Sequence, residues 1–415
     1  MNISLTPQVR NAAIALIVGG IAAILDSTMV TLALHTLAVR LHSTDGTIQW
    51  VTTGYLLAIA VAIPVTGWAE ARWGGKRAWM AALLIFVAGS VLSALAWDAA
   101  SLIAFRVVQG FGAGLIFPLM QTLGVKAAGG RASSGLIAII SLPLALGPVI
   151  GGVILNWLSW RRLFLVNVPV IAVGLVLAWR LLPADGPDPA AARARLDVIG
   201  LTLLAPALAG VLLGLSNLSD EGGVAHAGVL DPLLAGVALL GAFVLRAARP
   251  LARVRTFPYL RRQTANAAGG GERAPLVDVR LLRLRSLASS SAVLFTAGAA
   301  IYAGMFLLPL YYQQLRGDSA LDAGLLLIPQ GVGALACRLA VGGLVARFGA
   351  RAVTVASFLL TAIATVPFAF ADAATDPWLL GTVLLIRGLG LGAVLIPPLS
   401  VAYRDVAPPA SPTPR

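Results

Sequence analysis

Charge is scarce in this sequence, and acid scarcest of all. Asp, Glu, Lys and Arg make up 11% of the 415 residues, less than half of the roughly 25% carried by soluble domains. So little charge excludes an ordinary water-solvated surface. A single cysteine, Cys337, excludes a disulfide framework and a thiolate metal site. The sequence has no Gly-rich Lys motif for nucleotide phosphates, no metal-ligand cluster and no nucleophile–base constellation. An enzyme reading therefore has little support, and neither metal nor cofactor is expected.

What the chain has instead is apolar length. Apolar residues reach 59% and mean hydropathy is +0.90. They come in runs of about twenty, the helical length that crosses a hydrocarbon core of roughly 30 Å. Twelve spans are expected, near 12–36, 48–70, 79–97, 100–122, 134–157, 163–182, 197–216, 229–248, 286–312, 321–345, 352–371 and 377–401. The first is longer than the apolar core of a cleavable signal peptide and reads as a span. The fold class is all-α, a polytopic protein of the lipid bilayer.

The net charge of +13 raises nucleic acid as a partner, but its distribution argues otherwise. With the N-terminus inside, Arg40, Arg161, Arg162 and Arg316 fall on outer loops and Arg106, Arg338 and Arg387 within spans, leaving 23 of the 30 basic residues inside. Outer loops collect acids instead, Asp45, Asp98, Asp231 and Asp372 among them. This positive-inside pattern directs both termini to the cytoplasm. The basic stretch 249–285, with Gly269-Gly270-Gly271, reads as a solvated inner linker, anionic-lipid binding being the alternative.

An internal repeat organises the spans. Gly67, Arg72, Trp73, Gly74 and Lys76 after the second span recur as Gly342, Arg347, Phe348, Gly349 and Arg351 after the tenth, an offset of 275. Gly110, Gly112 and Gly114 in the fourth span recur as Gly388, Gly390 and Gly392 in the twelfth, an offset of 278. Two halves in parallel orientation follow. Residues 1–182 form a six-helix half, 183–248 a linker and inserted hairpin, 249–285 the basic linker, 286–405 a second half and 406–415 a disordered tail. At that offset a complete second half would need about 45 residues more, so a counterpart of 138–182 is expected to be missing. The arrangement is 6 + 2 + 4 helices, with an incomplete C-half.

The turn after span two has a physical logic. Its glycines allow a tight bend, and Arg72, Lys76 and Arg77 can grip the negative C-terminal ends of neighbouring helices. Three further segments stand out: Leu25-Asp26-Ser27-Thr28-Met29-Val30, Leu146-Gly147-Pro148-Val149-Ile150-Gly151-Gly152, and Trp160-Arg161-Arg162 leading to Asn167-Val168-Pro169. With Pro309-Leu310-Tyr311-Tyr312-Gln313 they make the chain resemble the 14-span drug:proton antiporter branch of the major facilitator superfamily. Departures from its pattern are Thr31, His35 in place of proline, and Ala71 at the usual acidic position with Glu70 beside it.

The resemblance implies a major facilitator fold in the cell membrane, exporting amphiphilic, drug-like small molecules in exchange for protons. It places cargo near the midplane between halves that rock in alternation. Asp26 is the one acid read within a span, and a carboxyl that changes charge there can carry a proton; a hydrogen-bonded helix contact is the alternative. Arg106 matches the superfamily's fourth-span arginine, implying that it senses Asp26 through a shared aqueous cavity; an anchor for carbonyls is the other reading. Gly147, Pro148, Gly151 and Gly152 resemble a flexible gate, or pack two helices closely. Tyr55, Gln109, Phe117, Phe306 and Tyr311 are candidate cavity lining. Arg387 aligns with Gln109 rather than with Arg106. Together with Arg338 it either favours anionic cargo or snorkels toward water. For the whole chain, two alternatives stand: a non-transporting remnant or partner subunit, and an exporter of an anionic metabolite.

Overall fold

The computed structural model describes residues 7–127, 153, 159–184, 196–220, 226–248 and 279–398. The first elements are α1 (Pro7–Arg40), α2 (Asp45–Ala62), α3 (Thr66–Trp73), α4 (Gly75–Ala94), α5 (Ala99–Ala127), the short α6 (Arg162–Leu165) and α7 (Asn167–Leu181). A hairpin follows, α8 (Val198–Asp220) and α9 (Ala227–Ala248). Then come α10 (Arg285–Leu310), α11 (Ala320–Leu326), α12 (Ile328–Phe348), α13 (Ala350–Thr365) and α14 (Pro377–Val394). Eleven helical segments among the described residues are long and apolar enough to cross a membrane. They account for eleven of the twelve expected spans. The other, at 134–157, lies outside the described residues except for Val153, and Gly147, Pro148, Gly151, Gly152, most of both linkers and the tail 406–415 lie outside them too. Outward-facing Phe295, Leu339 and Trp378 are largely exposed, a surface suited to hydrocarbon rather than water.

Almost all described residues up to Ala248 form one compact unit, and those from Arg280 onward form a second. The sequence repeat has a direct counterpart in backbone geometry. Gly74 takes φ 81° and ψ 155°, and Gly349 takes φ 81° and ψ 154°. Each donates its N–H four residues back, to Glu70 O at 2.8 Å and to Val345 O at 2.9 Å. Side-chain-bearing residues avoid this region at a cost of about 1–3 kcal/mol. Gly74→Ala and Gly349→Ala should each lower stability by about that much, read as a depressed melting temperature in detergent; unchanged melting would contradict the strain argument.

The glycine triplets show why they recur. A Cβ on Gly110 would collide with Tyr55 O of α2, on Gly112 with Phe86 N of α4, and on Gly114 with Ile59 O of α2. In the second unit Gly388 meets Gln330 O, Gly390 meets Thr361 and Gly392 meets Ala334 O. Each neighbour lies 275 positions beyond its N-unit equivalent. Alternate glycines thus face two different helices, letting α5 and α14 each seat against a pair at backbone distance.

At the turn between α3 and α4, Lys76 Nζ donates to Trp179 O (2.6 Å) and Leu182 O (2.8 Å) at the end of α7, where helix carbonyls carry negative partial charge. Glu70 pairs with Lys126 of α5. At the opposite end of α4, Arg161 donates to Ala96 O at 2.9 Å. The hairpin closes on Gly210, Gly214 and Gly236 and is tied at its open end by Arg246 to Asp197, 2.6 Å. Asp231, assigned above to an outer loop, instead lies in the second turn of α9, exposed. His35 leaves α1 unbroken over 34 residues.

Candidate functional site

The site is built where apolar helices are forced to share polar groups. Asp26 lies well inside α1, flanked by the buried Ala22, Ala23, Met29 and Val30, so its carboxylate must find donors from neighbouring helices. Arg106 and Gln109 are spaced i, i+3 on α5 and present to one face. Gly89 admits the Gln109 backbone, since a Cβ there would lie 2.5 Å from Gln109 N. That close approach brings Ser90 of α4 within reach. The short α6 and the start of α7 add Phe164 and Asn167.

The result is a closed polar knot. Arg106 Nη1 donates to Asp26 Oδ2 and, at 2.8 Å, to Gln109 Oε1. Asp26 Oδ1 accepts from Gln109 Nε2 at 2.9 Å and from Asn167 Nδ2 at 2.8 Å. Ser90 Oγ accepts from Gln109 Nε2 (3.0 Å) and Asn167 Nδ2 (2.8 Å), and donates to Phe164 O at 3.0 Å. Arg106 Nε donates to Val51 O at 3.2 Å, and the guanidinium carbon sits 3.9 Å from the Tyr55 ring centre. Asp26 and Arg106 are each 0% exposed. Arg106 Nη2 is buried with no hydrogen-bond partner.

This arrangement revises the expected geometry in one respect. Asp26 and Arg106 touch directly, with no exposed surface, where the sequence suggested contact across a shared aqueous cavity. Tyr55 and Gln109, expected as cavity lining, belong to the knot: Tyr55 packs on the guanidinium and Gln109 bridges both charges. Phe117 and Phe306 are half-buried on α5 and α10. Tyr311 donates its hydroxyl to Asp372 O at 2.7 Å and packs edge-on against Phe368, which fastens it to the segment between α13 and α14. Ser90 was not singled out, and Asn167 was noted only as part of the segment entering span six, with no role assigned. Asn167 had a signal, as an amide in an otherwise apolar run; Ser90 had little beyond its glycine neighbour.

Chemically, the knot distinguishes two states of one carboxyl. Ionised, Asp26 has donors on both oxygens and a guanidinium beside it. Oδ1 accepts two hydrogen bonds and Oδ2 one, from Arg106, so a proton on the carboxyl would remove the counter-charge of Arg106. Among the described residues, no group of three or more His, Cys, Asp or Glu is placed to hold a metal.

Repeated helical units, a bilayer-length apolar surface and one buried ion pair define a multi-pass membrane transporter fold. Residues 16–413 match the Major Facilitator Superfamily, and the chain belongs to that family. It is 34% identical over 398 residues to the "Multidrug resistance protein B homolog" of Mycobacterium tuberculosis, covering 94% of this chain and 69% of that protein. It is 30% identical over 371 residues to the "Putative multidrug resistance protein MdtD" of Serratia proteamaculans, covering 88% and 72%. The xylose transporter XylE from E. coli superposes with a TM-score of 0.59 over 96% of this chain and 84% of that one, at 13% identity, a likeness of fold alone.

Proposed function

We propose that the chain exports amphiphilic, drug-like compounds across the plasma membrane in exchange for protons, with both termini in the cytoplasm. The single observation that carries this is the Asp26–Arg106 pair, buried among five helices with donors on both carboxylate oxygens. Asp26 is the proton carrier. Arg106 holds it as the anion and loses its counter-ion when the proton arrives. The relatives named for multidrug resistance support drug-like cargo, and the apolar spans leave few charges for a strongly polar one.

Everted vesicles test the reading. With a respiratory pH gradient, ethidium, Nile red and 9-anthracenecarboxylate are added in turn. At least one should enter the lumen and release protons as it does so, and a protonophore should stop both. If uptake of every dye is absent or indifferent to the protonophore, proton antiport is wrong.

A further inference from the structure

The second unit holds a buried charge that the Asp26 knot does not use. Arg387, in α14, is 4% exposed. Its Nε donates to Thr365 Oγ1 at 3.2 Å, its Nη1 to Gln330 Oε1 and its Nη2 to Ala300 O at 3.1 Å. All three acceptors are neutral. A Cβ on Gly304 would collide with the guanidinium, so α10 leaves a hollow for it. The side chain is thus held in place by three helices rather than snorkelling to water.

The repeat sharpens the contrast. Arg387 stands at the Gln109 position, Thr365 at that of Ser90 and Gln330 at that of Tyr55. The N-unit knot balances one anion with one cation. Its counterpart carries a cation with no carboxylate among the described residues that contact it. A guanidinium offers five N–H donors, and an uncompensated buried charge is costly unless something of opposite sign meets it. Arg387 is the eleventh residue of the 22-residue span Pro377–Pro398, roughly 15 Å from either end at 1.5 Å per residue. Lipid headgroups do not reach that depth.

Resting on the transporter reading above, we infer that Arg387, cradled by Gly304, Gln330, Thr365 and the Ala300 carbonyl, is the subsite for a carboxylate or similar monoanionic group on the cargo. The preferred cargo is an amphiphilic anion. Arg387 orients it through charge-assisted hydrogen bonds, the strong kind, while the apolar body of the cargo contributes little to charge selection.

The test is binding without any proton gradient, so it stands or falls apart from antiport. The full chain is placed in phosphatidylcholine nanodiscs and titrated with 9-anthracenecarboxylate and with its neutral methyl ester, read by fluorescence polarisation. The wild-type chain should prefer the carboxylate by about tenfold, the worth of one charged hydrogen-bonded contact. Arg387→Gln should erase the preference and leave ester affinity within about twofold. Arg387→Lys should keep part of it, and Gly304→Ala, which displaces the guanidinium without removing its charge, should weaken it. Melting curves accompany each variant; Arg387→Gln should melt no lower than wild type, because it removes a buried charge without stranding an opposite one. A wild-type chain with no preference, including one that binds neither dye, overturns the proposal. So does a preference that survives Arg387→Gln.

Discussion

Everted vesicles carrying Asp26→Asn should take up dye only down its concentration gradient and release no protons as they do so. This follows from the geometry of the knot. The amide cannot ionise, so the step in which the carboxyl exchanges its proton for the Arg106 contact is lost. Asp26→Glu keeps an ionisable group one methylene longer and should retain proton release at a reduced rate. The neutral pair Asp26→Asn/Arg106→Gln controls for folding: it removes both charges together, so no lone charge stays buried, and it too should move dye without protons. Wild-type proton release per dye in Asp26→Asn would remove Asp26 from the mechanism.

Arg106→Gln alone should cost about 3–5 kcal/mol, because it strands the Asp26 carboxylate in a dry site. The double variant Asp26→Asn/Arg106→Gln should recover most of that loss, since amides at both positions can still donate and accept within the knot. Chemical denaturation in detergent, run as a double-mutant cycle, measures the difference. A coupling of about 2 kcal/mol or more marks a pair acting as a unit. Additive losses would mean that Arg106 serves chiefly Val51 O and the Tyr55 ring, as an anchor.

Much of this fold is legible from residue spacing. The 275-residue offset linking Gly74 to Gly349 places two turns that share a backbone conformation, because only glycine tolerates it. The glycine triplets likewise reveal which helices must approach at backbone distance. Segment 134–157 is read from its apolar length alone. The site was less legible. Asp26 and Arg106 stand out as charges in apolar runs, but 80 positions separate them, and sequence alone suggested a wet gap where the helices close on a direct bond. Gln109, Ser90 and Asn167 matter through where α4, α5 and α7 cross, which no local pattern encodes. Tyr55 looked like cavity lining because aromatic character says nothing of which neighbour a ring covers. Arg387 had two readings, and its burial against Gly304 and Ala300 of α10 bears on snorkelling alone, leaving the anionic-cargo role a proposal.

The Asp26 knot draws on α1, α2, α4, α5 and the α6–α7 segment at once. Under the proposed mechanism, a change of charge at Asp26 would be felt by every one of these elements rather than relayed along a single path. Genetic suppressors that restore activity to a crippled Asp26 allele should accordingly be scattered over all of them. Many should be changes of helix-packing volume rather than new acids.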